Sequence, residues 1–127
     1  GVGEKGSIWA GTSDEKQLTE YAVYLANSQP RTPPVGSKKP NQLGLYDMSG
    51  NVWEWVEDCW HESYGSKSAP NDGSVWLEAD GGNCNKRVIR GGSWYSALLL
   101  LRSSNRYWDH TSIRRNDLGF RLGQDTP

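Results

Sequence analysis

The stretch GLYDMSGNVWEWVEDCW, residues 44–60, decides the fold of this chain. It begins with a glycine turn and an acidic loop, and the residues VWEWV at 52–56 that follow have the pattern of a half-buried strand. Downstream, RVIRGGSW at 87–94 predicts a second short strand that runs into a turn, and GFRL at 119–122 predicts a closing strand. We therefore expect several short strands joined by long irregular segments.

One amphipathic helix is predicted before this stretch, in the sequence DEKQLTEYAVYLANS. It is expected to begin with Ser13 or Asp14 as N-cap and to end near Asn27. Four prolines in residues 29–40 then predict an extended linker, with Val35 as its apolar anchor. The apolar residues at helical spacing are Leu18, Tyr21, Ala22 and Leu25.

Length and composition limit the possible classes of protein. The 127 residues suit one domain, 1–127, and an apolar content of 35% supports one modest core. Fifteen glycines, seven tryptophans and six tyrosines, against one phenylalanine and one methionine, disfavour a helix bundle. The longest apolar run, residues 97–101, is far shorter than the roughly 18 residues that a bilayer-spanning helix needs, so no membrane span is expected.

Charge is unevenly distributed along the chain. The formal net charge is only -1, which disfavours nucleic acid as a partner held by bulk charge. Residues 86–122 nevertheless hold eight basic and two acidic residues, a local charge of +6, which leaves -7 for the remainder. Either these basic residues stack on tryptophans and pair with the acidic half, or they form a basic surface for an acidic partner.

The two cysteines, Cys59 and Cys84, have three possible roles: an incidental thiol pair, a disulfide, or half of a metal site. Two histidines and the lack of a Cys-x-x-Cys pair make zinc a poor candidate. In an exported protein, a disulfide closing the polar excursion 62–85 is the favoured interpretation. A disulfide would favour a cell-surface, periplasmic or extracellular location, whereas a reducing compartment would leave two buried thiols.

The segment DMSGNVWE, residues 47–54, is a candidate cation site. It places two carboxylates and an asparagine around a glycine turn, and oxygen donors in that arrangement suit calcium best. The alternative is structural: Asp47 caps the turn, Asn51 adopts a left-handed conformation, and Glu54 pairs with an arginine. The spacing of the residues alone does not decide between the calcium site and the structural role.

No catalytic constellation is apparent in the sequence. Glu57 and Asp58 are adjacent, so on a strand they point to opposite sides and are poorly placed to act as a carboxylate pair. His61 and His110 have nearby hydroxyls, but proximity in sequence does not define a triad. The glycines of RGGS, residues 90–93, lack the lysine and helix start of a phosphate loop and are expected to shape a turn.

Taken together, the strings at 44–60 and 87–94, followed by GFR at 119–121, resemble the formylglycine-generating enzyme family, also called the sulfatase-modifying-factor domain. The resemblance extends over about residues 21–122 and matches the family's C-terminal part. It implies an α+β, irregular C-type-lectin-like fold with little regular secondary structure, short antiparallel strands and one or two helices. Further residues that carry it are Arg102, Asn105, Arg106 and Arg114.

The resemblance also implies a structural calcium ion. In family members a loop corresponding to residues 47–54 binds calcium through side chains at its ends and backbone carbonyls between them. The matching residues here are Asp47, Gly50, Val52 and Glu54.

Enzymes of the family are copper-dependent oxygenases with two active-site cysteines shortly after the Gly-Gly-Ser motif. The matching positions here are Ser96 and Leu101, which supply no thiolate to copper, and Cys59 and Cys84 fall in other segments. We therefore expect no copper and no formylglycine synthesis. The alternative is an oxidoreductase or accessory domain of this family that acts on peptides or thiols.

A better match is to the variable proteins of diversity-generating retroelements, which share this fold. In them, adenine-directed mutagenesis rewrites asparagine codons after the Gly-Gly-Ser-Trp motif, which here places the diversified, ligand-binding segment at 95–117. A protein or cell-surface ligand is the expected partner. The expected ligand-binding residues are Ser96, Ala97, Leu98, Leu99, Leu100, Tyr107, Asp109, His110, Ser112, Ile113, Arg115 and Asp117.

The apolar run ALLLL, residues 97–101, supports a binding role. It lies in a glycine-flanked, irregular region with neither helical nor alternating spacing, so part of it is expected to be exposed, where it would offer apolar anchors to a protein. The alternative is that most of the run is core, and Leu101 is expected to be core in either case. A third possible function is a structural domain of a larger surface protein, stabilised by calcium.

Overall fold

A four-stranded mixed sheet lies at the centre of the fold in the computed structural model, which describes residues 6–65 and 68–123. The strand order is β3-β2-β1-β4. The β1/β2 and β2/β3 pairs are antiparallel, as expected, whereas β4 runs parallel to β1. The strands are β1 (Trp53–Trp60), β2 (Asn83–Arg90), β3 (Tyr107–His110) and β4 (Leu118–Gly119).

The strands only partly coincide with their predicted ranges. The β1 strand extends beyond the predicted segment 52–56 to Trp60, and β4 is shorter than its predicted range of 119–122. The β2 strand ends at Arg90 because the next two residues, Gly91 and Gly92, have φ angles of 92° and 72° that leave the extended conformation. The prediction that these glycines shape a turn is confirmed.

The predicted helix is much shorter than expected. The helix α1 spans Leu18–Tyr21, and Asp14 caps the preceding 3-10 turn by accepting a hydrogen bond from the Lys16 amide at 2.9 Å. The prediction that the helix continues to residue 27 is wrong, because Ala22 adopts extended backbone and Leu25 is 53% exposed. The 3-10 turns are Glu15–Gln17, Ala79–Gly81 and Leu98–Leu101.

The hydrophobic core joins residues near the N-terminal end of the described chain to the segment 98–103. The indole of Trp9 donates to the carbonyl of Leu98 at 3.3 Å, and the amide of Ser103 donates to Ile8 at 2.8 Å. In the linker 29–40, by contrast, Val35 is 85% exposed, so its predicted role as an anchor is wrong. The buried cluster comprises Trp9, Leu18, Ala22, Tyr24 and Leu101.

A disulfide between Cys59 on β1 and Cys84 on β2 confirms the predicted pairing. The disulfide closes the base of the polar excursion. His61 also attaches this excursion to the sheet. The His61 ring stacks on Trp76 with 3.5 Å between ring centroids, and its Nε2 lies 2.8 Å from the Ala79 carbonyl. The long loop is therefore tied to the sheet at several points.

In the described ranges 6–65 and 68–123, no helix has the length and apolar character to cross a membrane.

Candidate functional site

Residues 95–117, here called the display segment, cross the molecule in three pieces. A 3-10 turn packs against the core, β3 forms one edge of the sheet, and a loop leads to β4. Both ends are fixed by backbone hydrogen bonds, since the Ser96 carbonyl accepts from Leu25 at 3.1 Å and the Asp117 carbonyl accepts from Trp53 at 2.8 Å. The segment is thus attached to the scaffold at its start and its end.

The leucine run divides between core and surface. Leu101 is fully buried and Leu98 is partly buried against the same core cluster, whereas Leu99 is 68% and Leu100 39% exposed. A 3-10 turn has three residues per turn, so Leu98 and Leu101 share the inward side and the two residues between them face outward. This confirms the expectation that part of the run is exposed and that Leu101 is core.

Ser96 is enclosed, unlike its neighbour Ala97, which is exposed. Only 5% of Ser96 is accessible, and its Oγ accepts a hydrogen bond from the Ser93 amide at 2.9 Å. Those contacts close the turn after Gly92. Ser96 therefore departs from its predicted role as a ligand contact, and we leave it out of the candidate surface.

The edge strand β3 presents a second group of candidate residues. Tyr107 is 54% exposed and His110 is exposed, while Trp108 and Asp109 are half-buried. No strand was predicted here, because four residues are too few to show alternation. Pairing with β2 creates the strand. Tyr95, which is 68% exposed at the start of the display segment, was also missed as a candidate contact.

An ion-pair network organises the third piece. The Arg115 guanidinium lies 2.8 Å from Asp109 and 2.9 Å from Asp117. Asp117 also accepts from the Ser93 hydroxyl at 3.3 Å. Three predicted ligand-binding residues therefore contact one another. Of the other two predicted ligand-binding residues in this piece, Ser112 is exposed and Ile113 is half-buried.

The 47–54 loop has the left-handed Asn51 of the structural alternative, but among the described residues Asp47 does not cap the turn, because its carboxylate bonds to the linker instead. Asp47 and Asn51 have φ angles of 56° and 68°, and the Asp47 Oδ2 accepts from the Gly36 amide at 2.7 Å. Gly50 has a φ of 79°, and a Cβ there would lie 2.2 Å from the Val23 carbonyl oxygen, so only glycine fits. Other segments hold the turn: the Gly50 amide donates to the Gly91 carbonyl at 2.8 Å, and the Asn51 amide donates to the Val23 carbonyl at 2.9 Å.

Arg121 provides a cation at this loop. Its Nε and Nη2 donate to the two oxygens of Glu54 at 2.6 and 2.5 Å, and its guanidinium also donates to the carbonyls of Tyr46 and Asp47. The hydrogen bond to Glu54 raises the pKa of Arg121, against a smaller lowering by burial. Glu54 therefore pairs with an arginine, as the structural alternative states.

The loop still fits a calcium ion in its chemistry. The Asp47 Oδ1 is buried without a hydrogen-bond partner, and an orphaned carboxylate oxygen is a suitable ligand for a hard cation. Within the described part of the chain, no group of three or more His, Cys, Asp or Glu side chains is placed to hold a metal. An ion here would therefore depend on Asp47, Glu54 and the carbonyls between them, in competition with Arg121.

Ser96 and Leu101, the two positions that the resemblance predicts to match the family's active-site cysteines, are both enclosed. Ser96 is hydrogen-bonded to Ser93, and Leu101 is fully buried in the core. The chain's two cysteines are joined in the Cys59–Cys84 disulfide, so neither is a free thiol.

Comparison with known proteins establishes the class to which this fold and site belong. The chain is a member of the sulfatase-modifying factor enzyme 1-like domain family, whose match covers residues 2–126. It is 34% identical over 97 residues to the formylglycine-generating enzyme of Streptomyces coelicolor and 32% identical over 97 residues to that of Mus musculus. These alignments cover 74% of this chain but only 29% and 24% of the two enzymes. The predicted family is confirmed.

Two solved structures resemble this one over 94% of the chain. Treponema denticola variable protein 1 has a TM-score of 0.75 and 35% identity, with 41% of its own chain covered. PvdO from Pseudomonas aeruginosa has a TM-score of 0.75 and 37% identity, with 45% covered. The predicted α+β, C-type-lectin-like fold is thereby confirmed. This chain spans less than half of either protein.

Proposed function

We propose that this domain is a non-catalytic, ligand-binding variable protein whose display segment is diversified by a retroelement. The observation that carries the proposal is the division of the leucine run, in which Leu99 and Leu100 face outward while Leu101 is fixed in the core. That is the arrangement a diversified surface needs, because exposed side chains can change without loss of the fold. The similarity to Treponema denticola variable protein 1 supports it.

The fold supplies rigidity to the displayed side chains. The 3-10 turn is packed on the core, β3 is paired with β2, and the disulfide joins β2 to β1. A ligand that binds such a preordered surface immobilises few additional groups, which limits the entropy lost on association. Tyr95, Leu99 and Tyr107 are more than half exposed and are the apolar anchors we expect a protein ligand to contact.

The test is to sequence this locus deeply across its source population. Substitutions confined to codons 95–117, at adenines of a near-identical template copy, are the expected result. We further expect that codon 101 stays fixed within that range, because Leu101 is core. Sparse substitutions spread evenly along the gene would overturn the proposal and favour a fixed-function domain, including a structural domain of a larger surface protein.

A second candidate function is catalysis or an accessory role on peptides or thiols. The identity to two formylglycine-generating enzymes favours it. Against it, Ser96 and Leu101 occupy the matching cysteine positions, and both cysteines of the chain are in a disulfide. Incubation with copper and a sulfatase-type peptide separates the two proposals, since conversion of the peptide's cysteine would refute the binding-only function.

We also propose that calcium stabilises the 47–54 loop. Asp47 and Glu54 would hold the ion together with the carbonyls of Gly50 and Val52, and the ion would neutralise the buried Asp47 carboxylate. Calcium calorimetry on the wild type and on Asp47→Asn tests this. Heat of binding in the wild type alone is expected, and equal signals from both proteins would contradict the proposal.

The disulfide leads us to propose an exported location: cell surface, periplasm or extracellular space. Disulfides persist in oxidising compartments and are rare in the cytosol. Quantifying free thiols in protein taken rapidly from its source cells tests the location. Two reactive thiols per chain after denaturation would place the domain in a reducing compartment instead.

A further inference from the structure

The excess of basic residues in the segment 86–122 is only partly neutralised by the fold. Arg115 and Arg121 make the ion pairs of this segment within the described chain, with Asp109, Asp117 and Glu54. The other six basic residues have no carboxylate within ion-pair distance among residues 6–65 and 68–123. They are Lys86, Arg87, Arg90, Arg102, Arg106 and Arg114.

Three of these unpaired cations alternate with aromatic rings on one side of the sheet. We call this set the aromatic-basic strip. Lys86, Arg90 and Trp108 share a face because side chains alternate along each strand and Val88, which lies between the two basic residues, pairs with Trp108. The strip consists of Arg90, Tyr64, Arg106, Trp60, Trp108 and Lys86.

At one end of the strip two guanidinium groups share a tyrosine. The Arg106 Cζ lies 4.2 Å from the Trp60 ring centroid and 4.4 Å from that of Tyr64. Arg90 donates to the Tyr64 hydroxyl at 3.0 Å and to the Asn105 carbonyl at 3.1 Å. Burial lowers the pKa of Arg106, and so does the neighbouring charge of Arg90, while Tyr64 and Asp58 oppose this. Two like charges are thus held close together. Among the described residues no carboxylate lies within ion-pair distance of either, and Asp58 acts on Arg106 only from beyond that distance.

At the other end, Lys86 covers a tryptophan. Its Nζ lies 3.7 Å from the Trp108 ring centroid, and Trp108 is 6.3 Å from Trp60, centroid to centroid. The strip is therefore continuous from Arg90 to Lys86. Two of its members, Arg106 and Trp108, lie within the display segment, and Tyr107 of that segment stacks beside Trp108 with 6.2 Å between ring centroids.

These contacts indicate which chemistry the strip can recognise. One of the strip's own cations already covers one face of each of the rings of Trp60, Tyr64 and Trp108, which reduces the ring surface on which sugars and nucleobases could stack. The N–H groups of Arg106 have no hydrogen-bond acceptor among the described residues. Such groups form their strongest contacts with carboxylates, which a planar guanidinium binds through two parallel hydrogen bonds.

We propose that the aromatic-basic strip binds an acidic segment of a protein ligand, through carboxylates that contact Arg106, Arg90 and Lys86. This inference rests on the proposed binding function and adds the chemistry of the partner to it. The strip uses positions outside the set of expected ligand-binding residues, Arg106 and Trp108 among them, so we expect it to supply a constant electrostatic contact. The neighbouring display residues then select the particular ligand. Charge complementarity of this kind chiefly speeds association.

The probe for the test is a fluorescent decaglutamate peptide, titrated with the protein at low ionic strength. Lys86→Gln and Arg106→Gln are each expected to weaken binding about two- to fivefold, and together more. The matched control is Lys16→Gln, which removes one charge from the 3-10 turn before α1 and is expected to leave the affinity unchanged. Raising the salt to about 0.3 M should abolish most of the binding, because the contacts are solvent-accessible.

Several results would overturn the proposal. These are no binding of decaglutamate, the same loss in Lys16→Gln as in the strip variants, or tighter strip-dependent binding of heparin or oligo-dT than of decaglutamate. Thermal melts show whether each variant is folded, and if Arg106→Gln is not, Lys86→Gln decides alone. None of these failures affects the proposed function, which the population sequences test separately at codons 95–117.

Discussion

Replacing each leucine of the 98–101 turn by alanine tests whether the display segment separates surface from core. The chemical change is the same at all four positions, and only the burial of the side chain differs. Leu101 is fully buried, Leu98 is partly buried against the core, Leu100 is 39% exposed and Leu99 is 68% exposed. The series therefore measures the division on which the proposed function depends.

The expected losses of unfolding free energy follow these exposures. Leu101→Ala leaves a cavity beside Trp9 and Leu18, which costs about 3 kcal/mol. Leu99→Ala removes mostly solvated methyl groups and leaves no cavity, so about 0.5 kcal/mol is expected. Leu100→Ala should cost about 1 kcal/mol. The loss for Leu98→Ala should lie between the losses for Leu100→Ala and Leu101→Ala. For a domain of this size, 3 kcal/mol corresponds to a fall in melting temperature of roughly 12 °C.

Urea unfolding followed by tryptophan fluorescence measures all four variants under one set of conditions. The slope of free energy against urea concentration has to stay constant for the comparison to hold, since a change in slope indicates an altered denatured state. A loss for Leu99→Ala of half the Leu101→Ala loss or more would refute the reasoning. The run would then be core throughout, and the proposed display surface would lack its apolar anchors.

Three further outcomes are expected. Replacing Cys59 and Cys84 together by alanine should lower the unfolding free energy by about 3 kcal/mol, measured against oxidised wild type, because the disulfide restricts the unfolded chain. Gly50→Ala should cost about 2 kcal/mol or more, since its Cβ would clash with the Val23 carbonyl; a melting temperature within a degree or two of wild type would contradict this. Millimolar calcium should raise the melting temperature of the wild type and leave Asp47→Asn unchanged, whereas an equal rise in both would exclude the loop as the site.

The sequence predicted the parts of the fold that depend on local chemistry. The strand in residues 44–60, the glycine turn after Arg90, the pairing of Cys59 with Cys84 and the core position of Leu101 were all identified. Each depends on a residue type whose preference is strong by itself: an aromatic strand, a glycine with positive φ, a cysteine pair and a leucine in an apolar run.

The parts that were missed depend on contacts between distant residues. The helix ends early because Ala22 turns extended and the next carbonyl, of Val23, accepts from the Asn51 amide, 28 residues further on. The strand β3 exists because β2 pairs with it. An arginine partner for Glu54 was one of the alternatives, but the sequence did not indicate that it is Arg121, 67 positions away. Periodicity reports local preference, and it carries no information about such pairings.

Under the proposed diversification, the bridge from Arg115 to Asp109 and Asp117 limits which combinations of residues the display segment can hold. Losing Arg115 alone leaves two neighbouring carboxylates facing each other, and losing either aspartate leaves part of the positive charge unmatched. Surviving versions of the gene should therefore show correlated residues at these three positions. The number of positions that vary independently is then smaller than the number that vary, and the effective repertoire is smaller than the codons alone would allow.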